Sequence, residues 1–357
     1  MNKSVVRFLL GLQREYEAIE PSVTIIVPAY NEEKCIADTI RSLLQQTYPV
    51  DRIVVVDDAS TDGIVEISKG FDVEVVTTDM NKGSKARAIN FALDSLDTDI
   101  TIIVDADTVL DPRSVENVVT AFSDKNVGIA CGSVIPRNPD TFWGRARLIE
   151  YLNAIAVVKS AQENLGSVLI ASGCFFAIRT DLLKSNNGFD ERTFAEDMDL
   201  TWVITEKGYK VRYVQGAIAR SLEPVTWSVY SKQVTRWNHG FLQTMKVRGM
   251  NTFRHSFKLG LLSYYYIITG VLAPFVILYS LLVFGWLALI LLLVWYILII
   301  GLPAYVVGRR LNYQRTKLLV GILEAFVVQL PNIYLYHKAL INEFLLKKTV
   351  TSWDKGH

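Results

Sequence analysis

The chain has 357 residues, is half hydrophobic and carries a net charge of +1, with a mean hydropathy of +0.25. That length holds one large domain or two ordinary ones, and so balanced a charge leaves no electrostatic footprint for nucleic acid. Its cysteines, Cys35, Cys131 and Cys174, are too scattered for a metal-ligand spacing and fit a reducing, cytosolic setting for the polar part of the chain.

Within residues 1–20, Val5, Val6, Leu9, Leu12 and Tyr16 fall near one helical face, which predicts an interfacial helix. A secretory signal is not expected, because Arg7 interrupts the apolar run and no small-residue cleavage site follows. After Pro21 the pattern becomes α/β. Strands are predicted at 23–30, 52–60, 73–78 and 99–107, alternating with helices at 32–46, 62–70 and 85–96. Strands alternating with helices imply βαβ units and a parallel sheet buried on both faces. Ligands of such sheets collect at the carboxyl ends of the strands, so Pro28, Ala29 and Tyr30, Asp57 and Asp58, and Asp105 and Asp107 share one rim. Further strands are predicted at 128–135 and 169–179, and helices at 140–162 and 195–208.

Residues 227–248 mix aromatic, basic and polar side chains at helical spacing and predict an interfacial helix pair. From Lys258 to Val307 only Lys258 is charged. About 20 apolar residues make one helical crossing, so this stretch predicts two spans with a tight turn near Phe284-Gly285-Trp286. A third stretch, 318–341, contains Glu324, Gln329 and Pro331 and reads either as a kinked span or as a shallow re-entrant segment. Arg309, Arg310, Arg315 and Lys317 place the preceding loop in the cytoplasm, as Lys246, Arg248, Arg254 and Lys258 do the start of the first span. The basic tail would stay inside after two spans and lie outside after three.

Asp105 and Asp107 end a run of buried-strand character, "IIVDADTVLD" (102–111). Such a pair reads either as a solvated turn or as a divalent cation site at a strand end. Taken in order, "VPAYNEE" (27–33), "VDDAST" (56–61), "NKGSKARAIN" (81–90), "DADT" (105–108), "ASGCFFAIR" (171–179), "AEDMDLT" (195–201) and "QVTRW" (233–237) resemble the family-2 glycosyltransferases of GT-A fold. More narrowly they are similar to the membrane-embedded group that includes cellulose, hyaluronan and poly-N-acetylglucosamine synthases.

The resemblance implies a UDP-sugar donor and a Mn2+ or Mg2+ cofactor. A hard cation that keeps water and binds carboxylates plus phosphate suits a diphosphate leaving group. Asp107 is then the metal ligand, and Asp105 the partner of the ribose, the metal or its water. Asp58 is implied as the acid that binds the base imide, with Asp57 the weaker candidate, and Pro28, Ala29 and Tyr30 as the walls of the base slot. Lys82 and Lys85 flank a glycine at a helix start, a setting suited to an anion; which of them faces the nucleotide stays open, because Ser84 offsets the family's pattern. Asp197 corresponds to the general base, with Glu196 and then Asp199 behind it. Gln233 and Arg236 are implied at the diphosphate and Trp237 against the acceptor sugar. Ser172, Gly173 and Cys174 form the floor beneath that acceptor.

These implications make the chain an inverting enzyme that extends a β-linked polysaccharide; the alternative is transfer of one sugar to a lipid acceptor. The expected organisation is an N-terminal interfacial helix (1–20), a GT-A catalytic domain (21–225), interfacial helices with the QxxRW motif (226–257), a transmembrane region of two or three spans (258–345) and a tail (346–357). The protein would sit in the cell membrane as a multi-pass chain with its catalytic domain in the cytoplasm. So few spans make a poor polymer channel, so the bilayer and the two substrates would be joined by a partner membrane subunit or a homo-oligomer.

Overall fold

The computed structural model describes residues 19–81 and 83–348. The expected N-terminal helix, Lys82 and most of the expected tail lie outside the described residues. The chain forms two compact units, one from residues 1–135 and 162–222 and the other from 136–161 and 223–357. Segment 136–161, expected inside the catalytic domain, thus groups with the C-terminal helices.

The first unit is built on an eight-stranded sheet. Its strands are β1 (Val23–Ala29), β2 (Arg52–Asp57), β3 (Glu74–Thr77), β4 (Ile100–Val104), β5 (Val109–Leu110), β6 (Val127–Pro136), β7 (Phe175–Arg179) and β8 (Lys210–Ser221), in the order β3-β2-β1-β4-β7-β6-β8-β5. β1 and β4 are buried at every position, as expected of central strands covered on both faces. Helices α1 (Ile36–Leu44), α2 (Ile64–Lys69), α3 (Lys85–Phe91) and α4 (Ser114–Val119) alternate with the first strands. In α1, Ile36, Ile40 and Leu43 recur at helical spacing and seat on Ile25, Val27, Ile102 and Val104. On the opposite face Ala86 and Ile89 of α3 join Ile26, Val54, Val56 and Ile103. Each of these valine, leucine and isoleucine side chains contributes roughly 1.5–3 kcal/mol by leaving water.

The sheet departs from the expected all-parallel arrangement. β1, β2, β3 and β4 pair in parallel, whereas β7 runs antiparallel to β4 and β6, and β5 antiparallel to β8. The cause is local: Asp105 N–H donates to Cys174 O (3.2 Å), so the chain enters β7 at the carboxyl end of β4 and must run back along it. The strand expected over 169–179 begins only at Phe175, because a turn closed by Phe175 N–H on Ser172 O (3.0 Å) precedes it. At the edge, β3 is only half covered, and β8 is a strand that the sequence reading did not anticipate.

The second unit opens with α5 (Phe142–Asn153), which passes through a π-helical turn at Ala154–Val158 into α6 (Lys159–Leu165). Two helices belonging to the first unit, α7 (Thr180–Ser185) and α8 (Glu196–Glu206), come next in the chain. One helix, α9 (Trp227–His255), stands where a pair of interfacial helices was expected. Its start is fixed by the Thr226 hydroxyl, which accepts the Val229 N–H, and no glycine or proline breaks it before Gly240. Three helices long and apolar enough to cross a membrane follow: α10 (Phe257–Phe284), α11 (Leu287–Arg310) and α12 (Arg315–Phe344). The turn between α10 and α11 falls where expected, at Gly285, whose φ of +54° suits a residue without Cβ.

The third apolar stretch is one helix that retains Pro331 in its interior. Both of its carboxylates are paired. Arg145 of α5 donates to both Glu324 oxygens at 2.7 and 2.5 Å. Glu343 is fully buried and receives His239 Nδ1 (2.7 Å), Gln243 Nε2 (2.9 Å) and Lys246 Nζ (2.9 Å), all from α9. Removing one member of such a buried set leaves the others unpaired, so Glu343→Ala should cost about 3–5 kcal/mol. Lys317→Ala, which breaks a pair to the well-exposed Asp140, should cost less than about 1 kcal/mol. Melting in detergent should therefore separate the two variants clearly.

Candidate active site

At the end of β4 burial alternates: Val104, Ala106 and Thr108 point into the protein while Asp105 and Asp107 stay partly exposed. Thr108 N–H closes the turn on Asp105 O (3.0 Å), and Thr108 Oγ1 donates to Asp107 Oδ1 (3.2 Å). Both carboxylates thus stand on one side of a short, rigid edge.

Around Asp105 the structure gathers four of the residues singled out from sequence. Lys85 comes from the first turn of α3, positioned by the Ser84 cap, whose hydroxyl accepts the Arg87 N–H at 3.2 Å. Its ammonium forms an ion pair with Asp105 Oδ1 and donates to Gly173 O at 2.7 Å. Gly173 N–H in turn donates to Asp197 Oδ2 at 2.6 Å, while Asp197 Oδ1 accepts the Met198 N–H at 2.8 Å. Asp197 lies in the first turn of α8, where free backbone N–H groups favour a carboxylate. Thr201, not anticipated from sequence, locks the two segments together: it donates to Asp197 O (2.6 Å) and accepts the Ala171 N–H (3.0 Å). A threonine one helical turn after an acid is too common a pattern to have signalled this.

Burial is the main influence on Asp197 and raises its pKa; Lys85 and the two amide donors pull it back only in part, so it stays above the usual carboxylate range. For Lys85, burial works to lower the pKa, but Asp105, Glu196 and Asp197 together outweigh it and hold the ammonium above its ordinary value. The site therefore pairs a fixed cation with a carboxylate of enhanced basicity.

Asp58 is buried at the end of β2, where Thr78 Oγ1 donates to it at 3.0 Å and its own N–H meets Ala29 O at 2.9 Å. Asp57 is spent on the turn, accepting Ser60 N–H at 3.1 Å. In that turn Ala59 adopts a φ of +57°, a strained choice for a residue with Cβ. Pro28 and Ala29 close β1 beside this turn, and Tyr30 is partly exposed. Asp199, the third-ranked base, is buried with Arg192 Nη2 at 3.3 Å. Ser172 and Cys174 flank Gly173 and are partly exposed; Glu196 begins α8. No group of three or more His, Cys, Asp or Glu that could hold a metal occurs among the described residues. A pair of carboxylates on a rigid edge is nonetheless the donor set for a hard cation that completes its shell with water and phosphate.

In the second unit the QxxRW motif lies in the second and third turns of α9. Gln233 and Trp237, four apart, meet Arg147 of α5: its Nη2 donates to Gln233 Oε1 at 3.2 Å, and its guanidinium sits 4.8 Å from the Trp237 ring and 4.7 Å from that of Tyr230. Burial opposes the charge on Arg147, yet Glu150 and neighbouring oxygens keep its pKa above normal. Arg147 was not among the expected site residues, since nothing local marks it. Arg236, on the same helix, is partly exposed. A cavity of about 320 Å³ adjoins the motif, lined by polar residues such as Arg147, Asn238 and Asn332 and by apolar or aromatic ones such as Val234, Trp237 and Ile333.

A sheet with helices on both faces whose β2 and β4 run into acids at one rim, followed by an antiparallel β7 and by α8 with three acids in its first turn, has the GT-A fold of glycosyltransferases. Residues 21–240 match the family described as "Glycosyltransferase like family 2", and the chain belongs to that family. It is 27% identical over 258 residues to a poly-beta-1,6-N-acetyl-D-glucosamine synthase of Staphylococcus epidermidis, covering 69% of this chain and 62% of that one. A synthase of the same name from Staphylococcus aureus (strain COL) is 28% identical over 257 residues, covering 68% and 62%. The match thus spans under two thirds of the length of these relatives. Among solved structures, a mannosyltransferase from Pyrobaculum calidifontis in complex with GDP-Man and Mn2+ shares the fold, with a TM-score of 0.63 at 20% identity over 97% of this chain and 96% of that one.

If Asp197 is the base, transfer must fall as pH drops through its raised pKa, giving an acid limb above the ordinary carboxylate value of about 4. Lys85→Gln removes a group that lowers that pKa and should move the limb to higher pH, read from kcat against pH. A Cβ on Gly173 would stand 2.7 Å from Asp197 Oδ2. Gly173→Ala should accordingly cut transfer at least about tenfold by displacing the base, while the melting temperature changes little.

Proposed function

We propose that the chain is a membrane-bound inverting glycosyltransferase that moves a sugar from a UDP-sugar, UDP-N-acetylglucosamine foremost, to the end of a growing β-linked polysaccharide. The observation that carries this reading is the linked set Lys85, Asp105, Gly173 and Asp197 at the rim of β4, a cation and a basic carboxylate on opposite sides of one glycine. The relatives named as poly-beta-1,6-N-acetyl-D-glucosamine synthases support the donor and product class. Three long apolar helices support the membrane setting.

In this reading Asp58 accepts the imide N–H of the base, with Pro28, Ala29 and Tyr30 as its walls. Asp107, assisted by Asp105, holds Mn2+ or Mg2+; a mannosyltransferase of the same fold was solved with Mn2+. The bound cation supplies charge compensation for the leaving diphosphate. Lys85 adds a donor to that diphosphate. Asp197 takes the proton from the acceptor hydroxyl as its oxygen bonds to the anomeric carbon and the bond to the diphosphate breaks. One base and an in-line displacement invert the configuration. Ser172, Gly173 and Cys174 support the acceptor from below; Glu196 is the reserve candidate for the base.

A second reading, transfer of one sugar to a lipid-linked acceptor, draws on the cavity beside Trp237, whose lining mixes polar and apolar side chains. The product decides between them. Detergent-purified protein incubated with Mn2+ or Mg2+ and radiolabelled UDP-sugars should form high-molecular-weight material from UDP-N-acetylglucosamine; an organic-extractable product would favour the lipid acceptor. Asp107→Ala or chelation should lower the rate at least about a hundredfold. Turnover that survives both would contradict the metal assignment.

A further inference from the structure

We infer that α12, although long and apolar enough to span, lies along the membrane face that carries α5 and α9, so that the described residues cross the bilayer only as the α10–α11 hairpin. The inference rests on the membrane setting proposed above but not on the reaction. Composition alone ranks α12 with the other two: it is 30 residues long, against 28 and 24, and apolar enough to span. Its contacts separate it from them.

Polar contacts run nearly the whole length of α12. Lys317 Nζ meets Asp140 Oδ1 at 2.6 Å, and Glu324 holds Arg145. Asn332 accepts the Tyr230 hydroxyl at 2.8 Å and donates to Glu150 at 3.2 Å. Glu343 closes the series with His239, Gln243 and Lys246. From Lys317 to Glu343 a helix rises about 39 Å at 1.5 Å per residue, more than the roughly 30 Å of a hydrocarbon core. The partners lie on α5 and α9 or just before α5, elements that carry Arg145, Arg147, Glu150, Lys232, Arg236, Lys246 and Arg248 and are not candidate spans.

The topology then follows. All three candidate spans begin after residue 256, so no crossing separates Asp140 from Lys246, and the two lie on the same side of the membrane. α12 touches Asp140 through Lys317 near one end and Lys246 through Glu343 near the other. Both ends of α12 are therefore on that side, which a crossing helix cannot achieve. The face of α12 left uncovered fits this placement: Leu319, Leu323, Val327, Leu330, Tyr334 and Ile341 are exposed at spacings of three, four and seven. A continuous apolar stripe opposite a charged one is how a helix lies in the interface, with its apolar side in the acyl boundary. Two crossing helices do not enclose a conduit, so passage of a polymer would need further helices.

Peptide-resolved labelling with a membrane-impermeant maleimide tests this on full-length protein in sealed spheroplasts and again after lysis. The native Cys35, partly exposed in the first unit, reports the side of the catalytic domain. Trp286→Cys, at an 83% exposed position in the hairpin turn, reports the far side, and Lys348→Cys reports the end of α12. The expected result is that Lys348→Cys labels with Cys35, only after lysis, while Trp286→Cys labels in sealed cells. Labelling of Lys348→Cys together with Trp286→Cys would overturn the inference. Recovery of the chain in the soluble fraction would instead sink the membrane setting itself, and the inference with it.

Discussion

The buried ammonium of Lys85 is the contact on which the rest of the site depends. A lysine taken out of water needs compensating oxygens or it loses its charge, and here those oxygens come from the end of β4 and the 171–174 turn, with the carboxylates at the start of α8 close by. One charge thereby draws three segments to a point. The same requirement explains why Gly173 has no side chain: its amide and carbonyl connect Asp197 to Lys85 across a gap that a Cβ would fill.

The sheet serves this contact in a simple way. Central strands without polar positions are rigid and dry, so polar residues are confined to their carboxyl ends. Asp58 and Asp105 are then set at fixed distance on the strand ends that flank β1. The antiparallel β7 is what returns the chain to that rim and delivers residues 171–174 beneath the acids. An all-parallel continuation would have needed a crossover helix there and would have left Asp105 without Gly173.

Much of this was legible in the sequence because it depends on local pattern. Apolar runs located β1, β2 and β4, the last two ending in acids, and the helical spacing of Ile36, Ile40 and Leu43 located α1. The direction of β7 was not legible, since strand direction is decided by a turn four residues long and not by periodicity. β8 was missed as well. Arg147 was invisible for a different reason: its partners Glu223, Gln233 and Trp237 lie more than seventy residues away, and a lone arginine on a helix ordinarily reads as a solvated face. The third apolar stretch left two readings open for the same cause, because hydropathy records the exposed stripe of α12 and is blind to the charges that bind its other face.

We propose that donor chemistry takes place on the rim shared by Asp58, Asp105, Asp107 and Asp197. A structure of the full chain with UDP and Mn2+ should then show the base against Asp58, the cation bound by Asp107, and the diphosphate within reach of Lys85. A nucleotide bound elsewhere, or a cation with no ligand from Asp105 or Asp107, would contradict it.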